Sequence, residues 1–298
     1  MRLGAIYMKI NELFESKKVV FSFEIFPPKA TSSIDTIYST LEELKDLKPD
    51  YISVTDGAGG SLTKNKTTEL SSIVKNKYGV ESVAHLTCIN STKEEINIIL
   101  DDLKFNGIEN ILALRGDVPE GGNHKGDFKY AYELISHIKK RGDFNILGAC
   151  YPEGHVKGRD LKEDMLHLKI KEESGASQFI SQLFFDNNHF YNLLEEKEKL
   201  AIKSPIQAGI MPVVNKKQIE RITSLCGVNM PKKFIKIMER YEYDKEALRD
   251  AGIAYAVEQI VDLISSGVDG IHLYSMNNAY VARKINNSIS SIINSINK

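Results

Sequence analysis

Eight short runs rich in β-branched and aromatic residues alternate along this chain with longer, charged segments of helical period. The runs are VVFSFEIF (19–26), YISVT (51–55), SVAHLTC (82–88), NILALRG (110–116), NILGACY (145–151), QFISQLFF (178–185), IQAGIMPV (206–213) and GIHLYSM (270–276). Between them lie stretches such as SSIDTIYSTLEELKDL, STKEEINIILDDLKFNG and DLKEDMLHLKIKEESGA. Several open on Ser, Thr or Asp caps, and some stop at a glycine, as at Gly107, Gly175 and Gly267. Eight βα units within 298 residues, with no Pro/Gly/Ser-rich linker, predict an α/β fold: one (β/α)8 TIM barrel forming a single domain over 1–298. A doubly wound open sheet is the runner-up on this pattern. A helix starting near Met8 makes residues 1–7 an N-terminal extension, with residue 11 as its outer bound.

A 42% apolar fraction supplies a large core, and a net charge of −1 gives no field that would favour nucleic acid or an acidic membrane. No apolar run reaches the ~18 residues of a membrane helix, and no signal peptide is evident, so a cytoplasmic location is expected. Cys88, Cys150 and Cys226 are odd in number and never in a C-x-x-C pair. They read as small buried thiols, and no metal site is expected.

Strand parity sharpens the reading, because side chains alternate between faces. Phe21, Phe23 and Ile25 face outward onto helices, while Ser22 and Glu24 face inward, with Glu24 just before Pro27-Pro28 ends the ladder. The same parity turns Thr55 with Ser53, His85 with Thr87, Arg115 with Ala113, and Gln182 with Ile180 into the barrel. Polar groups thus collect at the strand ends, where barrel enzymes carry out chemistry. No P-loop, Rossmann glycine fingerprint, H-E-x-x-H pair, G-x-S-x-G elbow or inward lysine is present. One inward acid, the run Arg115-Gly116-Asp117 and the loop YPEGH (151–155) fit proton transfer coupled to a cofactor better than hydrolysis. Beyond that loop, Asp164, His167 and Lys171 share one helical stripe able to hold a ribose or pyrophosphate.

At these residues the sequence resembles the methylenetetrahydrofolate reductase family, from about residue 12 to residue 285. The matching segments are SFEIFPPK (22–29), ISVTDGAGGS (52–61), AHLTCIN (84–90), GIENILALRGD (107–117), CYPEGH (150–155), SQLFFDN (181–187), GIMPVVNKKQ (209–218) and YSMNNA (274–279). The resemblance implies reduction of 5,10-methylenetetrahydrofolate to 5-methyltetrahydrofolate, with FAD relaying hydride from NADH or NADPH in a ping-pong cycle. Glu24 matches the general acid that opens the folate ring, and burial would keep its proton available. Asp117 matches the aspartate beside flavin and pterin. Gln182 and Gln218 match substrate-contacting positions, and Thr55 one near nicotinamide and flavin. His85, Arg115, Gly116, Ala131, Tyr151, His155, Asp164, His167 and Lys171 match flavin-binding positions, with Asp56 and Ala58 on a loop that approaches the flavin.

The chain departs from the family in places. Asn278, assigned to the substrate, stands where some members carry an arginine. Ile170 replaces a flavin-contacting arginine, for which Arg159 is the nearest substitute, and Ile222 replaces an aromatic that stacks on NADH. The C-terminal regulatory domain of eukaryotic members is not expected here, nor is inhibition by S-adenosylmethionine. A homo-oligomer is expected. Two other readings remain: electrons supplied by a separate iron–sulfur redox subunit, and a flavin- or folate-binding subunit without turnover.

Overall fold

A computed structural model of the chain describes residues 9–28, 34–56, 61–117, 126–155 and 160–298, with backbone alone at 34–36 and 61–65. The eight predicted strands are present as β1 (Val20–Ile25), β2 (Tyr51–Val54), β3 (Glu81–Thr87), β4 (Asn110–Leu114), β5 (Asn145–Cys150), β6 (Gln178–Ser181), β7 (Ile206–Ile210) and β8 (Gly270–Tyr274). Each pairs in parallel with the next, and β8 pairs with β1 through Val20↔Gly270 to Glu24↔Tyr274. That last register closes the barrel and removes the open-sheet alternative. The strands are shorter than their apolar runs. β6 stops at Ser181 because Leu183 and Phe185 leave the ladder for a separate apolar cluster.

The outer layer is formed by α2 (Ile34–Lys45), α3 (Ser61–Ser72), α4 (Lys93–Phe105), α5 (Ala131–Arg141), α6 (Leu161–Ser174), α7 (Asn187–Lys199), α10 (Lys245–Ser265) and α11 (Ala279–Ile296). Their starts follow local chemistry. Thr92 caps α4 by accepting from Glu95 N at 3.2 Å, and the Glu95 carboxylate returns a bond to Thr92 N, a full capping box. The three expected glycine stops all adopt positive φ. The main core lies between the outward strand faces and these helices, and it holds Phe21, Phe23 and Ile25 with Leu41, Ile96, Ile135, Leu263 and Ile285. Parity holds for β1, β2, β3 and β6 but fails at β4. Ala113 packs outward beside Ile111, while Leu112 and Leu114 turn inward. Arg115 reaches the mouth for another reason. β4 has already ended, and the chain bends at Gly116, whose φ of +82° calls for glycine and where a Cβ would come within 3.0 Å of Thr87 Cβ.

Both ends of the barrel carry additions. At the N-terminal end, α1 (Ile10–Ser16) closes the floor, its Ile10 and Leu13 packed on Val20, Tyr51, Val83, Leu112, Leu147 and Ile180. Ile10 is wholly buried and donates its N–H to Asn110 Oδ1 at 2.9 Å, so an extension reaching residue 11 is too long. At the other end, α8 (Lys216–Cys226) and α9 (Lys232–Arg240) are inserted between β7 and α10. Ile219, Phe234 and Met238 seat this insertion on Leu183, Phe185, Met211 and Val213 beyond the ends of β6 and β7. Gly252 of α10 lets that helix lie against the strand exit, since a Cβ there would fall 1.7 Å from Val213 O.

Candidate active site

The C-terminal mouth opens on a cavity lined by Glu24, Thr55, Asp56, His85, Arg115, Gly116, Asp117, Tyr151, His155 and Gln182, ten of the residues singled out from sequence. A second, narrower cavity runs between the barrel wall and α5 and α6, lined by Ala131, Asp164, His167 and Lys171. The two share Leu114, Arg115, Ala149, Tyr151 and His155, so they meet at the loop after β5.

Glu24 is the pivot of the first cavity. Its carboxylate is 19% exposed, not enclosed as parity alone implied, and no hydrogen bond within the described residues holds it. Oε2 stands 3.6 Å from His85 Nε2 and 3.8 Å from His272 Nε2. Burial pushes the His85 pKa down to about 4, against a raising effect of Glu24, so His85 is neutral at pH 7. The contact is therefore a carboxylate facing a neutral ring edge beyond hydrogen-bond range rather than a salt bridge. His85 Nε2 is buried without a hydrogen-bond partner. His272 is fixed from behind by Ser22 Oγ, 2.7 Å from Nδ1, and Ser22 in turn accepts from Gln207 Nε2 at 3.2 Å. Burial also raises the Tyr274 phenol well above its usual range, and its hydroxyl donates to Ser181 O at 2.7 Å.

The loop 151–155 is anchored from several sides. Gly154 N donates to Tyr151 O, and the His155 N–H is held by the Asp164 carboxylate. Arg115 Nη2 lies 3.3 Å from His155 Nε2. Burial raises the Tyr151 phenol to about 12. Lys171 donates to Ala149 O at 2.7 Å and sits 5.7 Å from the Tyr151 ring centre. The predicted stripe thus lines one cavity, with Asp164 and Lys171 already bonded to the wall and loop they flank. Tyr130 stacks on Tyr132 and on His167, which gives this cavity a flat aromatic side.

Other expected positions fall elsewhere. Gln218 is exposed in the first turn of α8, and Asn278 caps α11 by accepting from Val281 N; neither lines the cavities. Ala58, Arg159 and the glycine segment 57–60 lie outside the described residues. Sequence reasoning missed His272 and Tyr274, although parity along GIHLYSM turns both inward. It also missed Tyr130 and Tyr132, which flank Ala131 at the start of α5, off the buried stripe of Ala131, Leu134, Ile135 and Ile138.

The residues fit an elongated flavin dinucleotide. The mouth supplies an orphaned imidazole nitrogen at His85, Arg115 and Lys171 put cations near the junction, and the aromatic side beyond suits a planar base.

Fold and site together define a (β/α)8-barrel protein with a ligand-sized, polar C-terminal mouth. The family model described as methylenetetrahydrofolate reductase matches residues 9–290. Methylenetetrahydrofolate reductase (NADH) 1 of Arabidopsis thaliana is 34% identical over 284 residues, which is 90% of this chain and 48% of that protein. The 5,10-methylenetetrahydrofolate reductase of Pectobacterium carotovorum subsp. carotovorum is 34% identical over 90% of this chain and 89% of its own length. The chain therefore spans about half the length of the plant relatives it matches. Among solved structures, an uncharacterized protein from Clostridium thermocellum that binds two copies of 5-methyl-5,6,7,8-tetrahydrofolic acid shares the fold, with a TM-score of 0.65 at 13% identity over 97% of this chain and 100% of that one. The chain belongs to the methylenetetrahydrofolate reductase family.

Proposed function

We propose that this chain reduces 5,10-methylenetetrahydrofolate to 5-methyltetrahydrofolate, with FAD held in the two joined cavities and NADH or NADPH as electron donor. The observation that carries the reading is Glu24, a carboxylate at the mouth with free hydrogen-bonding capacity, framed by His85 and His272. Relatives of 34% identity named for this reaction support the choice of substrate.

Bound FAD would accept hydride from the nicotinamide and pass it to the folate carbon. Glu24 supplies the proton that opens the folate ring at its bridging nitrogen, a step that calls for a positioned acid. His85, neutral at pH 7, offers that acid a dipole without a competing cation. Gln182 hydrogen-bonds the pterin, and Asp117, exposed at the rim, favours the cationic ring-opened folate. Arg115 and Lys171 neutralise phosphate charge, Lys171 with the donors that its bond to Ala149 O leaves over.

Anaerobic spectra test the reading directly. The purified protein should be yellow and release FAD, bleach with NADH or NADPH, and regain colour with methylenetetrahydrofolate. Bleaching by neither nicotinamide, with recolouring by the folate intact, would move the electron donor to a separate redox subunit. Absence of recolouring would remove the proposed activity.

A further inference from the structure

The loop 151–155 contributes Tyr151 and His155 to both cavities, yet its central acid lines neither. Glu153 turns away from the mouth, and only 4% of its side chain is exposed. Its Oε2 accepts from Asn229 Nδ2 at 2.7 Å and from Asn229 N at 3.0 Å, with His189 Nε2 at 3.7 Å. Its Oε1 is buried with no hydrogen-bond partner. A buried carboxylate oxygen left unpaired is destabilising, so plain stability gives little reason for an acid here.

Asn229 lies between α8 and α9, at the far end of the insertion from its root at β7. The insertion is thus held at its root by the close packing of Gly252 on Val213 O, along its length by Ile219, Phe234 and Met238, and at its tip by Glu153. The tip contact joins it to the loop that carries Tyr151 and His155.

We propose that Glu153 is a positioning residue that latches the α8–α9 insertion to the loop after β5, so that Tyr151 and His155 of that loop keep a fixed place in the cavity proposed for the folate. The inference rests on the proposed function for its substrate but not for its geometry. The bonding is done by Oε2 alone, so the latch requires an acceptor of the right length and not a charge. Glu153→Gln should keep it, whereas Glu153→Leu and Asn229→Ala should loosen it, the second more mildly because Asn229 N remains.

Two measurements on the full-length, flavin-loaded protein test this. Amide hydrogen exchange over residues 215–231 should accelerate about tenfold or more in Glu153→Leu, less in Asn229→Ala, with the barrel strands unchanged and wild-type protection in Glu153→Gln. In steady-state assays the KM for methylenetetrahydrofolate should rise about five- to tenfold in Glu153→Leu with kcat within about twofold, again restored by Gln. Unchanged exchange at 215–231, acceleration spread evenly over the strands, or failure of Gln to restore the KM would each overturn the latch. If Glu153→Leu does not fold, Asn229→Ala decides on the same two readouts. A wild-type protein that never oxidises with folate would instead count against the proposed function, and the exchange result would still judge the latch.

Discussion

At the floor of the barrel, Asn110 accepts from Ile10 N and Asn145 Nδ2 while donating to Glu81 Oε1, and Glu81 is paired with Lys75 at 2.9 Å. At the mouth, Glu24 has two imidazole nitrogens at 3.6 and 3.8 Å and bonds to neither, and among the described residues Arg115 satisfies its Nε through the carbonyl of its own neighbour at 3.4 Å. Both ends are rich in polar side chains, so polarity does not distinguish them. The difference between these two clusters lies in whether the central group's hydrogen-bonding capacity is met within the protein, as at Asn110, or left open, as at Glu24. Saturated groups rigidify a scaffold, while open ones await a ligand at a cost in stability.

The strongest way to break this contrast is Glu24→Gln. Loss of the positioned proton should slow recolouring of the reduced protein by methylenetetrahydrofolate about 10²–10⁴-fold, while bleaching by the nicotinamide changes less than about tenfold. Stopped-flow traces of the two half-reactions give the answer, and equal losses in both would make Glu24 a structural group like those of the floor. The reciprocal test is Asn110→Ala, which strands the Ile10 N–H and the Asn145 amide without an acceptor. Urea melts should show about 3 kcal/mol of destabilisation, and the folded fraction should keep both half-reactions within about twofold. Loss of turnover at unchanged stability would mean that the floor takes part in function.

The third test uses pH. Folded, His85 titrates near 4 because it is buried; unfolded, it would titrate near 6.5. The unfolded chain therefore binds the extra proton between these values. The stability this neutral ring contributes is complete above about pH 6.5 and lost as the pH falls toward about 4. Between about pH 7 and about pH 5 the loss should be about 2 kcal/mol, and His85→Gln should flatten that slope. An identical slope in wild type and variant would place the acid sensitivity elsewhere.

How much of this was legible beforehand follows the reach of each signal. Period-two alternation located Glu24, Thr55, His85 and Gln182, because a strand fixes the face of each residue relative to its neighbours. The same rule misplaced Ala113, because alternation in a run cannot tell which face is inward when the run continues past its last ladder bond. The helical stripe of Asp164, His167 and Lys171 was readable from spacing, but the attachment of Lys171 to Ala149 O was not, since it joins residues on different elements. Gln218 and Asn278 rested on family resemblance alone, and neither lines the cavities. The contact between Glu153 and Asn229 spans 76 positions and leaves no local trace at either end.

The helix under the floor also has a kinetic consequence. With Ile10 and Leu13 seated beneath Tyr51 and Leu147, the described barrel has a door at one end only. Under the proposed function, a nicotinamide and a pterin that share this one entrance would have to take turns, the first leaving by the way it came before the second enters. Such a room keeps its own timetable: a departing product that lingers on the threshold delays the next arrival, whichever reactant that is.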